Sequence, residues 1–117
     1  AGAHVEGRTD WTRVLELYDE IMARWPTPVA ALNRAVAVLH VHGAEAAETA
    51  LRPAQSDPSL ARYALLHAVA AEFARKRGDV PRAEALLDRA LGCPGSDPQR
   101  RFLQRRRDAL VSVRITM

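Results

Sequence analysis

The chain has 117 residues, 48% of them hydrophobic but only 5% aromatic, with 17 basic and 14 acidic side chains and a formal charge of +3. That length holds one domain-sized core and leaves no room for two catalytic domains. A single cysteine, Cys93, excludes an internal disulfide and any multi-cysteine metal site, and no apolar run reaches the length of a membrane span.

With so few aromatic side chains, alanine, leucine and valine must supply the buried surface. Alanine is the best helix former and a poor strand residue, so the composition predicts close-packed helices. The pI of about 9.7 permits acidic partners without requiring them. Only Lys76 is a lysine, so the arginine excess fits GC-rich codon usage as well as selection for arginine chemistry. One cysteine and the lack of a charged-then-apolar leader fit a cytoplasmic protein.

From Trp11 the residues Val14, Leu15, Tyr18, Ile21, Met22 and Trp25 recur at steps of three and four, the period of one helix face. Asp10 is the natural N-cap and Pro26 the stop. A second helix follows Thr27, with Pro28 at its first position, and ends at Gly43. A short third helix, from Ala44 to Arg52, meets Pro53. Asp57-Pro58 opens a fourth that continues to Arg77 and is closed by Gly78, and a fifth runs from Asp79 to Leu91 before "GCPGS". The sixth starts at Asp97-Pro98 and carries Phe102, Leu103, Leu110 and Val113 on its apolar side, with Phe102 expected to be buried. The strand-like alternation of "VSVRITM" is too isolated to build a sheet.

Gly43 and Gly78 lie 35 residues apart, each ending a long helix and opening a shorter one, which is the punctuation of a helical repeat array. The segment "RKRGDVPRAEALLDRALGCPG" resembles the tetratricopeptide repeat (TPR). Gly78-Asp79 stand at the turn, Ala83, Leu87 and Ala90 at the small, large and small packing positions, and Pro94-Gly95 at the exit. "DWTRVLELYDEIMARWP" resembles the second helix of another repeat, with Trp11 as the turn aromatic and Pro26 as the exit proline. The middle repeat departs from the pattern, since Glu48 stands where the small alanine belongs and Pro53 truncates the helix. The expected fold is therefore all-α, a TPR-like array of antiparallel helix pairs with about six helices and a C-terminal cap. Residues 1–9 are expected to be the tail of a truncated preceding helix, 10–113 the domain and 114–117 a tail.

A narrower resemblance rests on Asp10-Trp11, Leu17-Tyr18-Asp19, Pro28-Val29, Ala31 to Ala37, Leu66-His67-Ala68 and Arg101-Phe102-Leu103. The order of these motifs is similar to the C-terminal extension of a class of bacterial extracytoplasmic-function (ECF) RNA polymerase sigma factors. The resemblance implies a regulatory, non-enzymatic protein-interaction domain, without cofactor, that adjusts transcription initiation by contacts within the sigma factor or with a partner. Its partners would be the sigma-factor core regions and RNA polymerase, or a regulatory protein or peptide, with promoter DNA reached only through sigma regions outside this chain. Arg107 stands where that family has an apolar residue, and its aspartate-glycine-glycine-arginine motif is absent. A peptide-binding TPR module of another multidomain protein and an auxiliary nucleic-acid-binding module are the alternatives.

Candidate site residues follow from helix position. Asn33 and Arg34 interrupt the small apolar run "ALNRAVAV" about one turn into a helix that would line a TPR groove. Asn supplies a donor and an acceptor, and Arg a fork suited to a carboxylate. Equally, Arg34 can pair within the chain with Glu16, Asp19 or Glu20, and Asn33 with a loop backbone. Glu72, Arg75 and Lys76 occupy the equivalent helix of the next repeat and extend the groove, or form a solvated face. Arg100, Arg101, Arg105, Arg106 and Arg107 form a basic patch able to meet phosphates, or the outer side of a capping helix. His40 and His42 are two apart, so they point in different directions, and His67 reads as a packing or hydrogen-bonding histidine; no metal site is expected. Cys93 reads as a loop thiol, with no base beside it. An apolar surface around Trp11, Leu15 and Tyr18 is expected to lie partly uncovered, leaving room for a homodimer of the chain.

Overall fold

A computed structural model describes residues 4–5 and 8–116, with side-chain surroundings given for 9–112. Six helices account for nearly all of it: α1 (Trp11–Arg24), α2 (Pro28–His42), α3 (Ala44–Gln55), α4 (Ala64–Lys76), α5 (Val80–Leu91) and α6 (Asp97–Thr116). The chain divides into two compact units, Ala1–Asp57 and Pro58–Met117. In the first, α2 packs between α1 and α3; in the second, α5 packs between α4 and α6. Within each unit the connections are short, so successive helices are antiparallel neighbours, the all-α helix-pair architecture that the glycine spacing predicts.

The caps account for most helix ends. Asp10, Thr27 and Asp79 each accept a hydrogen bond from the backbone N–H three residues on, satisfying donors that have no partner inside the helix. At the end of α4, Gly78 has φ of 85°, with Gly78 N–H bonded to the Arg75 carbonyl and Asp79 N–H to that of Ala74. This is a Schellman closure, and Asp79 then caps α5, so a single residue ends one helix and starts the next. Gly43 joins α2 to α3 alone, at φ 94° and ψ 175°, a region open in practice only to glycine.

Burial repeats at the same 35-residue interval: Ala35 and Ala70, Val38 and Phe73, and Leu51 and Leu86 are all buried. Alanines at the crossings let the helix axes approach, and a few large, fully buried side chains, Leu32 and Leu51 in the first unit and Phe73 in the second, fill the remaining space.

Four boundaries differ from the sequence reading. Alpha3 continues through Pro53 to Gln55 because the proline lies in the last turn, where its missing N–H removes only the bond to the Thr49 carbonyl. Asp57-Pro58 does not open α4. Pro58–Leu60 is a single 3-10 turn, and α4 starts at Ala64 after Tyr63, where the His67 Nε2 lies 2.8 Å from the Ala61 carbonyl oxygen and bridges the break. Within the segment expected to be a helix tail, His4–Val5 pairs with Arg8–Thr9 as a two-residue antiparallel ladder, and Val5 and Thr9 are β-branched. Residues 1–3 and 6–7 of that segment lie outside the described residues. Alpha6 includes residues 114–116, where a tail was expected; Met117 lies outside the described residues.

Candidate functional site

Arg34 does not stand open on its helix. Its Nε donates to Asp19 Oδ1 on α1 at 2.6 Å, which selects one of the three acids that the sequence offers. Both side chains are partly exposed, so the pair contributes about 0–1 kcal/mol and mainly fixes α1 against α2. Asn33 is half-buried, and no described residue pairs with its amide.

In the second unit Glu72, Arg75 and Arg106 form a triad. Arg75 Nη2 donates to Glu72 Oε1 at 2.5 Å and its Nε to Oε2 at 3.1 Å, while Arg106 of α6 donates to the same Oε2. Arg106 also sits over the Phe102 ring, 5.6 Å from its centroid. Burial of the Glu72 carboxyl works to raise its pKa. The Arg75 hydrogen bond and the charges of Arg106, Arg75 and Lys76 outweigh that and hold it below the ordinary glutamate value.

That direction sets a pH dependence. A carboxyl whose pKa is lower folded than unfolded contributes stability that is complete above the unfolded pKa and is lost as pH falls through the folded one. Urea denaturation across the acid range should therefore show the wild type losing about 1 kcal/mol more than Glu72→Gln, whose acid limb flattens. Parallel curves for the two proteins would mean that the triad carries no stability.

The arginines of α6 do not form one patch. Arg107 Nε donates to Asp88 Oδ1 on α5 at 2.5 Å, and Arg100 Nη1 donates to the Leu91 carbonyl at 2.6 Å, where α5 leaves its last carbonyls without helical donors. With Arg106 on Glu72, three of the five tie α6 to its unit. Arg101 and Arg105 are exposed, with no partner among the described residues. The charge of Arg107 is thereby accommodated by Asp88.

Phe102 corrects the sequence reading more sharply. It is 47% exposed, whereas Leu103 and Leu110 are buried. Leu103 and Leu110, seven residues apart, define the line that meets α5, and Phe102 lies about 100° around the helix from Leu103. The same logic separates Leu66, which is buried, from Leu65, which is 40% exposed. These two outward residues, with Ala68, Val69, Leu87 and Leu103, line an open groove of about 170 Å³ whose polar lining residues are Glu72 and Arg106. The groove was missed because a helix period identifies the buried line and not which flanking residues remain uncovered.

In the first unit the expected uncovered surface is also redistributed. Leu15 is buried, Trp11 stacks on His40 with ring centroids 3.9 Å apart and planes 4° from parallel, and Tyr18 is half-buried. The exposed apolar residues of α1 and its C-cap are Leu17 (39%), Ile21 (38%) and Trp25 (67%), four residues apart on one line. Cys93 is buried and donates its S–H to the Arg89 carbonyl at 3.2 Å. Among the described residues no three His, Cys, Asp or Glu side chains gather as a ligand set, and no helix is long and apolar enough to cross a membrane.

No known protein family matches the chain, and no solved structure does. A protein of Rhizobium meliloti (strain 1021), named only as uncharacterized, is 28% identical over 110 residues, covering 94% of this chain and 26% of that protein. The chain thus spans about a quarter of that relative's length.

Proposed function

We propose that this chain is a regulatory protein-interaction domain of an ECF-type sigma factor, working in the cytoplasm and modulating transcription initiation through contacts made elsewhere in the same protein or with a partner. The observation that carries the interaction reading is the line Leu17, Ile21 and Trp25, a ready seam for another helix. Its sigma-factor setting rests on the motif order from Asp10-Trp11 to Arg101-Phe102-Leu103.

The size of that line argues for a tethered partner. Nine residues of helix extend only about 13 Å, so the seam alone falls well short of the roughly 1,200 Å² that a stable free complex buries. A segment held in the same protein meets it at effective concentrations in the millimolar range, where a small interface suffices. The seam thus favours an intramolecular contact over a homodimer of the chain.

Reconstituted transcription with the full-length protein and core RNA polymerase tests this. The double substitution Leu17→Asp, Trp25→Asp, both at exposed positions, should change promoter-specific transcript yield several-fold while the circular dichroism spectrum and the melting temperature hold. Unchanged yield would remove the seam from regulation, and a full-length protein unable to direct core polymerase to a promoter would sink the sigma-factor assignment.

A further inference from the structure

The seam on α1 leaves a second uncovered feature unexplained, the groove between α4 and α6. We infer that this groove is the docking site for an acidic peptide segment, which inserts an apolar side chain between Leu65 and Phe102 and sets its carboxylates against the surrounding arginines and lysine. The inference rests on reading the chain as a protein-interaction module and is independent of the sigma-factor setting.

Size narrows the occupant first. A volume of about 170 Å³ is below the roughly 300–1,000 Å³ of pockets that enclose a small molecule. It accommodates one or two apolar side chains presented by a longer chain that passes over the rim. The lining suits such an anchor, with Leu65, Val69 and Phe102 on the walls and Leu87 of α5 among the residues beneath. Exposed aromatic and leucine side chains flanking a cleft are what an incoming anchor buries most profitably.

Charge then selects the flanking residues. One carboxylate, Glu72, is shared by two guanidinium groups, Arg75 and Arg106, so the polar part of the lining carries a surplus positive charge. Lys76 follows Glu72 by four residues and continues the same wall of α4, exposed. Arg105 follows Phe102 by three residues on the outer edge of α6, exposed and without a partner among the described residues. An apolar anchor with aspartate or glutamate within about one turn places its carboxylates against these cations, and basic flanks would be repelled. Nucleic acid fits less well, because the groove is walled by aliphatic side chains and offers a single ring for stacking.

Panning a random dodecapeptide phage library on the intact chain tests the inference. Enriched sequences should carry Leu, Ile or Phe within four residues of at least two acids. A fluorescein-labelled peptide of the leading sequence should lose affinity about tenfold on Phe102→Asp and about fivefold on Lys76→Glu or Arg105→Glu. Binding should also weaken as salt is raised. All three substitutions are at exposed positions, so unchanged circular dichroism and melting temperature are expected and keep the result interpretable. The inference is overturned by no enrichment over uncoated support, by enriched sequences without acids, by affinity indifferent to Phe102→Asp, or by a duplex oligonucleotide that displaces the peptide from the same residues. Peptide binding by the chain together with a full-length protein unable to direct core polymerase to a promoter would retire the sigma-factor assignment and leave the groove standing.

Discussion

Replacing Phe73 with alanine should destabilise the second helical unit by about 3–5 kcal/mol, the range for deleting a buried aromatic side chain. Phe73 is 1% exposed and is the largest fully buried side chain of that unit. The other buried residues there include Ala64, Ala70, Ala71, Ala74, Ala83 and Ala90, which have no reach with which to fill the vacated volume. Relaxation is then small and the cavity cost stays high. A core of this size has little stability in reserve, since whole domains are stable by only about 5–15 kcal/mol. Amide exchange should show the interior of α4 and α5 losing most of its protection, with loss of the labelled peptide's binding as the parallel readout. A loss under about 1 kcal/mol would mean that Phe73 does not organise this core.

Leu32→Ala should cost about 2–5 kcal/mol in the first unit, whereas Leu17→Ala, the same chemical change 15 positions earlier, should cost no more than about 0.5 kcal/mol. Leu32 is 0% exposed in the middle helix of that unit, and Leu17 on α1 is 39% exposed. Tryptophan fluorescence reports the difference directly, because Trp11 and Trp25 bracket α1, the helix packed on α2. Equal losses at the two positions would contradict the burial pattern, and equal insensitivity would mean that the alanine-rich surface of α2 holds the unit without Leu32.

Particular residues mark how far the sequence is legible. Asp10, Thr27-Pro28, Gly43, Gly78 and Asp79 act on their own backbone within one helical turn, so their capping roles can be read without knowing any neighbour. Pro53 and Asp57-Pro58 misled because a proline in a last turn costs one bond and a proline after aspartate serves a 3-10 turn as readily as an α-helix. His67 reads correctly as a hydrogen-bonding histidine, but its partner, the Ala61 carbonyl, exists only because the chain breaks before α4.

The candidate site was less legible. Arg34, Arg100, Arg106 and Arg107 look alike as cations in a string, yet each has a different acceptor: Asp19, the Leu91 carbonyl, Glu72 and Asp88. Three of those partners lie 15, 34 and 19 positions away in the chain, across a helix packing that no local spacing encodes. Arg101 and Arg105, indistinguishable from them in sequence, are left to solvent.

By itself, then, the sequence determined six helices, most of their ends and the 35-residue repeat, because helix period, capping and glycine conformation act over a few residues. Only the tertiary structure decided that Phe102 and Leu65 face a groove, that Leu17, Ile21 and Trp25 form the uncovered seam in place of Trp11, Leu15 and Tyr18, and which arginines are spent on internal carboxylates. The reason is geometric: an amphipathic helix carries apolar residues over more than 100° of arc, and where its neighbour sits along that arc decides which are covered and which remain for a partner.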